Sequence, residues 1–228
     1  MPKINQDITT PINFYTILPE NLKKKYHNPR YKYHQLNVPF RMLIIGGSGS
    51  GKTSTLMNLI RITSGTFEHI SICLKSKYEP LYEFLAQKLG TDVSFYENEI
   101  PDMRELEPYS QSLLVLDDLV ATKNLQNQIA EYAIRGRKFG ISMVYISQSY
   151  YGIPKLIRLQ ANYLILKKLS SEKDLKLILR EYGFGYSLKE MEAIYNKATA
   201  KKENWLLIDL EADNSNKLRH NWTVIHPK

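Results

Sequence analysis

The 228-residue chain is long enough to bury a core without disulfide or metal staples, and its single cysteine, Cys73, excludes an internal disulfide. The N-terminus has no apolar signal core and no apolar run approaches about 18 residues, so the sequence predicts a soluble, unsecreted protein with no membrane partner. A formal net charge of +8 fits a polyanionic partner such as DNA or RNA and fits plain solubility equally well, so charge alone selects no function.

Residues 1–40 are expected to form a basic and aromatic N-terminal extension outside the core. Pro2, Pro11, Pro19, Pro29 and Pro39 punctuate them, and helical periodicity is poor. From Lys23 the stretch is dense in Lys24, Lys25, Tyr26, His27, Arg30, Tyr31, Lys32, Tyr33 and His34. Such interleaving suits phosphate contacts with rings stacking on bases. It equally suits a solvated arm lying on the core or on a neighbouring subunit.

At Arg41 the pattern becomes α/β. The apolar run Met42–Ile45 enters Gly46-Gly47-Ser48-Gly49-Ser50-Gly51, and Lys52-Thr53-Ser54 opens an amphipathic segment. This is the strand, glycine-rich loop and helix of a phosphate-binding P-loop, with Gly46, Gly51, Lys52 and Thr53 at the required spacing. Glycines let backbone N–H groups approach a polyphosphate, and the helix adds unpaired N–H groups and a positive dipole end. The whole loop, Gly46 to Ser54, is therefore the expected ATP cradle. Lys52 reaches the β- and γ-phosphates and the Thr53 hydroxyl ligates Mg²⁺.

Leu56, Leu59 and Ile60 give the helix over residues 52–62 one apolar side, and a buried strand is expected over Ile70–Leu74. Pro80 starts a helix that Gly90 closes, and Val93–Tyr96 is a short strand. Residues 97–110 are acidic and irregular. The run Leu113–Leu116 ends in Asp117-Asp118; a helix follows over about residues 125–137, then the strand Ile141–Ser147 ending at Gln148. A short helix after Pro154, the strand Tyr163–Leu166, helices near residues 171–182 and 187–198 and the strand Trp205–Leu210 complete a domain over residues 41–210. Residues 211–228 are a tail in which Trp222–Ile225 returns as a hairpin.

Strands alternating with helices imply an α/β fold with a mostly parallel central sheet covered on both faces. Ligands of such sheets sit beyond the carboxyl ends of the strands, where the P-loop, Asp117, Asp118 and Gln148 all fall. Asp117 is expected to hold Mg²⁺ opposite Thr53, and Asp118 to orient or deprotonate the attacking water. If the Ile141–Ser147 strand lies between the P-loop strand and the Asp117 strand, Gln148 sits beside the γ-phosphate. Arg135, Arg137 and Lys138 either complement the negative end of their helix or supply an arginine finger to a neighbouring subunit, with Arg137 preferred and Arg135 and Arg158 as alternates. The chain has no Asn-Lys-x-Asp motif, no Leu-Ser-Gly-Gly signature and no arginine-rich lid. These absences argue against a Ras-type GTPase, a transporter-type ATPase and a small nucleoside kinase.

The P-loop, Leu-Val-Leu-Asp-Asp and the block Arg135 to Tyr150 together resemble the FtsK–HerA superfamily of DNA-pumping ATPases. More narrowly they resemble the poxvirus-type genome-packaging ATPases of large DNA viruses and virophages, to which Lys77–Tyr82 and Asn204–Asp209 are also similar. The resemblance implies a three-layer P-loop NTPase of the RecA/FtsK kind. It implies ATP and Mg²⁺ at Lys52, Thr53, Asp117 and Gln148, with Asp118 standing where many members have Glu. It also implies a homo-oligomeric ring of five or six subunits that threads double-stranded DNA into a preformed capsid, at a capsid vertex, in the virion or the infected cell. A HerA-like or conjugation-type DNA motor and a small P-loop kinase are the alternative readings.

Overall fold

A strand buried on both faces reads as an unbroken apolar run, and the five residues Arg41–Ile45 (β1) are all buried. The computed structural model describes residues 9–76, 78–106, 109, 111–119 and 123–225; Pro2, Lys77 and the tail residues 226–228 lie outside them. The remaining strands are His69–Leu74 (β2), Val93–Glu97 (β3), Ser112–Asp117 (β4), Ile141–Ser147 (β5), Tyr163–Leu166 (β6), Leu206–Asp209 (β7), Leu218–His220 (β8) and Thr223–Val224 (β9). The helices are Tyr31–His34 (α1), Lys52–Ile62 (α2), Pro80–Leu89 (α3), Lys123–Arg135 (α4), Lys155–Gln160 (α5), Glu172–Glu181 (α6) and Leu188–Ala198 (α7).

The described residues form one nine-stranded sheet in the order β3-β2-β4-β5-β1-β6-β7-β8-β9. It is parallel from β3 through β6 and antiparallel from β6 to β9. The pleat of β1 sends Met42 and Ile44 to one core and Leu43 and Ile45 to the other. Leu56 and Leu59 of α2 and Tyr82 and Leu85 of α3 fill the first core; Ile129 of α4, Ile178 of α6 and Tyr195 of α7 fill the second. This is the expected three-layer, mostly parallel α/β arrangement. Short polar signals set the helix ends. Ser187 and Glu190 form a reciprocal capping box at α7, and Gly140 (φ 73°) stops the short 3-10 turn after α4.

Two expected boundaries shift. Leu36 and Phe40 are fully buried in the core shared with α2, although residues 1–40 are expected to lie outside it. The Asn37 amide donates to the Tyr163 hydroxyl at 2.9 Å, and the Phe40 ring meets Phe67 and Tyr163 edge-on at 6.0 and 6.1 Å. The prolines that break helical periodicity here do not prevent individual side chains from docking. At the other end the sheet continues past residue 210, because β8 pairs with β7. Periodicity hides β8: it has three residues, and its middle one is Arg219, 2% exposed and paired with the equally buried Asp209. Arg219 also donates to the His34 carbonyl at 2.8 Å, tying the extension to the far edge of the sheet. Leu36→Ala is therefore expected to lower unfolding free energy by about 2–5 kcal/mol in urea titration, as for other fully buried leucines. A loss too small to resolve would make the extension an ornament.

Candidate nucleotide site

The loop after β1 is wedged between the ends of the two flanking strands. The Gly46 amide donates to the carbonyl of Ser147, the last residue of β5, at 3.2 Å, and the Gly47 amide donates to the Lys168 carbonyl beyond β6 at 2.9 Å. A Cβ on Gly46 would stand 2.5 Å from the Lys167 Cβ and 2.6 Å from the Ser50 hydroxyl, so only glycine fits. Gly51 has φ 89° and serves as the N-cap of α2, which leaves the first helical N–H groups facing the loop. Among the described residues the buried Ser50 hydroxyl oxygen has no hydrogen-bond partner, as expected of a cradle shaped for phosphate oxygens.

Lys52 bends back into this loop, its ammonium donating to the Gly46 carbonyl at 2.9 Å and the Gly47 carbonyl at 3.1 Å. Burial lowers its pKa, while the charges of Asp118 and Asp117 pull the other way. Thr53, half-buried, and Ser54, exposed, follow in the first turn of α2.

β5 does lie between β1 and β4, so Gln148 stands between the P-loop and the two carboxylates. Asp117 ends β4 opposite Leu74 of β2 and Ile146 of β5. Burial raises its pKa, and the Tyr82 hydroxyl, which donates to Oδ2, opposes that rise. Asp118 takes a left-handed backbone (φ 50°), uncommon outside glycine. This turns its side chain out of the alternation of β4. Its exposed carboxylate accepts from Gln148 Nε2 at 2.7 Å. The amide expected beside the γ-phosphate is thus also linked to the expected water-activating carboxylate. Among the described residues no three His, Cys, Asp or Glu side chains gather into a metal cage. The Thr53 hydroxyl and Asp117 carboxylate are hard oxygen donors of the kind Mg²⁺ takes when phosphates and waters supply the remaining ligands.

Two neighbours of the site are given no role by the sequence. Tyr82 falls in the Lys77–Tyr82 segment of the resemblance and reads as an apolar-face residue of α3. Lys167 directly follows the apolar run of β6, yet it is 1% exposed. Its ammonium donates to the Lys202 and Asn204 carbonyls at 2.6 and 2.9 Å, and burial pushes its pKa down to about 8. It forms one wall of a cleft of about 460 Å³ that opens from Gly47–Ser50 and carries Lys168, Lys201 and Lys202 on its rim.

The arginines occupy other ground. Arg137 is exposed in the turn preceding β5, and its charge acts on Arg41 at the start of β1. It stands at the amino edge of the sheet, separated from its own P-loop by the length of β1, about 13 Å at some 3.3 Å per residue. Arg135 pairs with Glu131 one helical turn back. Arg158 lies over the Tyr150 ring at 4.7 Å and donates to the Ile153 carbonyl at 3.1 Å. None of the three completes the site of its own chain. The basic extension runs along the same amino edge: His27 and Gln111 exchange hydrogen bonds, and Arg30 donates to the Arg61 carbonyl at 3.0 Å.

Comparison with known proteins gives the lineage of the chain. The sequence matches the Poxvirus A32 protein family over residues 28–217. The chain belongs to that family. The DNA packaging protein OPG160 of Vaccinia virus (strain Copenhagen) is 27% identical over 192 residues, covering 77% of this chain and 70% of that protein. The Variola virus protein of the same name matches at the same identity and coverage. The fold is that of B204, the DNA-packaging ATPase from Sulfolobus Turreted Icosahedral Virus, at TM-score 0.57 and 17% identity over 81% of this chain and 97% of B204. The genome packaging NTPase B204 of Sulfolobus turreted icosahedral virus 2, in complex with ATP-gammaS, superposes at TM-score 0.55 and 15% identity over 77% of this chain and 94% of that chain. The A32 match begins at residue 28, so it includes Leu36 and Phe40.

Because the Lys167 Cβ is fixed by its own strand end, Gly46→Ala must displace either β6 or the loop. We expect a loss of about 1–3 kcal/mol of stability, typical of overpacking. Nucleotide affinity, read by calorimetry with an ATP analogue, should fall with it. Unchanged affinity would show that the loop is not the cradle.

Proposed function

We propose that the chain is the ATPase subunit of a viral genome-packaging motor, an ATP-driven translocase that moves double-stranded DNA into a preformed capsid. The observation that carries this reading is the meeting of three strand ends on one edge: the P-loop after β1, Asp117-Asp118 after β4, and Gln148 after the strand between them. Membership of the A32 family, with packaging proteins among its similar relatives, supports the coupling of this site to DNA.

The residues of the chain divide the work. Backbone N–H groups of residues 46–54 receive the phosphate chain, and Lys52 exchanges its two loop carbonyls for β- and γ-phosphate oxygens. Thr53 and Asp117 would hold Mg²⁺, which when bound neutralises charge on the phosphates. Asp118 accepts a proton from, or orients, the attacking water. Gln148, already bonded to Asp118, links that water's position to the γ-phosphate. The catalytic arginine comes from a neighbouring subunit. Arg137 suits the role because it is exposed and lies away from its own loop. A homo-oligomeric ring of five or six such subunits would put each ATP at a boundary, with the ring docked at a capsid vertex. Among the described residues no helix is long and apolar enough to cross a membrane. The +8 charge suits a polyanionic track, whose binding should weaken steeply as salt rises.

The test is DNA-stimulated phosphate release. Lys52→Ala should abolish it, and Arg137→Ala should slow it by about 10³-fold or more, the scale of a lost arginine finger. Mixing the two inactive variants should restore part of the rate, because some boundaries then pair an intact Lys52 with an intact Arg137. Unchanged turnover in Lys52→Ala contradicts the active site, and absence of recovery on mixing contradicts the arrangement in trans.

A further inference from the structure

We propose that Tyr82 is a positioning residue for the metal-binding carboxylate: its buried hydroxyl, bonded to Asp117 Oδ2, fixes which oxygen of Asp117 faces the divalent cation of the nucleotide. The inference rests on Asp117 being the Mg²⁺ ligand, as read above.

The geometry begins with the sheet. β2 pairs in register with β4, placing Leu74 opposite Asp117, so whatever follows β2 passes beside that carboxylate. Pro80 occupies the first turn of α3, which puts Tyr82 in that turn, at the carboxyl edge of the sheet. The side chain is 3% exposed, its ring lies 5.9 Å from Phe95, and its hydroxyl donates to Asp117 Oδ2. A phenylalanine would serve the ring packing equally. The hydroxyl has one hydrogen-bond acceptor among the described residues, and it is a carboxylate oxygen.

A carboxylate can turn about its bond to Cβ and offer either oxygen. With Oδ2 engaged by a phenol held in a packed helix, rotation of the carboxylate is restrained and Oδ1, which carries no such bond from Tyr82, is the oxygen left to face the cation. Outer partners that fix a ligand in this way typically change metal affinity by about 10–100-fold when removed.

The experiment measures binding without turnover. Calorimetry with the β,γ-methylene analogue of ATP is run in EDTA and over a series of Mg²⁺ concentrations, for the parent protein, Tyr82→Phe and Asp117→Asn. We expect Tyr82→Phe to bind the analogue normally in EDTA and to need about 10-fold more Mg²⁺ to reach half of the metal-dependent gain. Asp117→Asn should lose that gain. A normal Mg²⁺ response in Tyr82→Phe, beside a lost response in Asp117→Asn, overturns the positioning role while leaving Asp117 as the ligand. An EDTA affinity for Tyr82→Phe reduced as much as the Mg²⁺ affinity assigns Tyr82 to packing, and also overturns it. Normal responses in both variants remove Asp117 as the ligand, and the proposal with it.

Discussion

The structure depends on one steric constraint: the P-loop has no room for a side chain at Gly46. β1 is clamped between β5 and β6, and the loop that leaves it is hydrogen-bonded to a carbonyl at the end of β5 and to one just past β6. The Lys167 Cβ already fills the space that a Cβ on Gly46 would need. That close fit points the backbone toward the cleft and sets the start of α2. It also fixes the neighbours. With β5 next to β1 and β4 next to β5, Gln148 and Asp118 come within hydrogen-bonding distance of each other although thirty positions apart.

Most of this architecture can be read from residues alone because buried parallel strands leave a plain record. Met42–Ile45, Ile141–Ile146 and Tyr163–Leu166 are mostly apolar runs followed closely by glycine, amide or lysine, and helical spacing between them is regular. The P-loop and the Asp117 strand end are local patterns that keep their meaning without tertiary context. The sequence could not supply partners that meet only in space. Tyr82 and Lys167 touch the site through β2–β4 pairing and through the position of β6 beside β1. β8 leaves no apolar run because its central Arg219 is buried against Asp209. Leu36 and Phe40 are isolated apolar residues in a proline-broken stretch, and nothing in their spacing foretells that they reach the core.

Charge is distributed in a way the total does not convey. Lysines 167, 168, 201 and 202 gather near the P-loop at the carboxyl edge, while the basic extension and Arg137 lie at the amino edge. Part of the extension's charge is already engaged: Lys23 and Lys25 pair with Glu20 at 2.9 and 2.8 Å, and Lys24 donates to the Lys138 carbonyl. Lys24, His27 and His34 thereby lie against the chain's own core. The exposed Arg137 lies beside the extension, and in the proposed motor this residue would complete the site of a neighbouring subunit.

The most direct measurement is a structure with an ATP analogue and Mg²⁺ bound. The account predicts that the Lys52 ammonium leaves the carbonyls of Gly46 and Gly47 for the β- and γ-phosphates, with Thr53 and Asp117 on the cation and Gln148 beside the γ-phosphate. A nucleotide bound elsewhere, with Lys52 still on its two carbonyls, would contradict it.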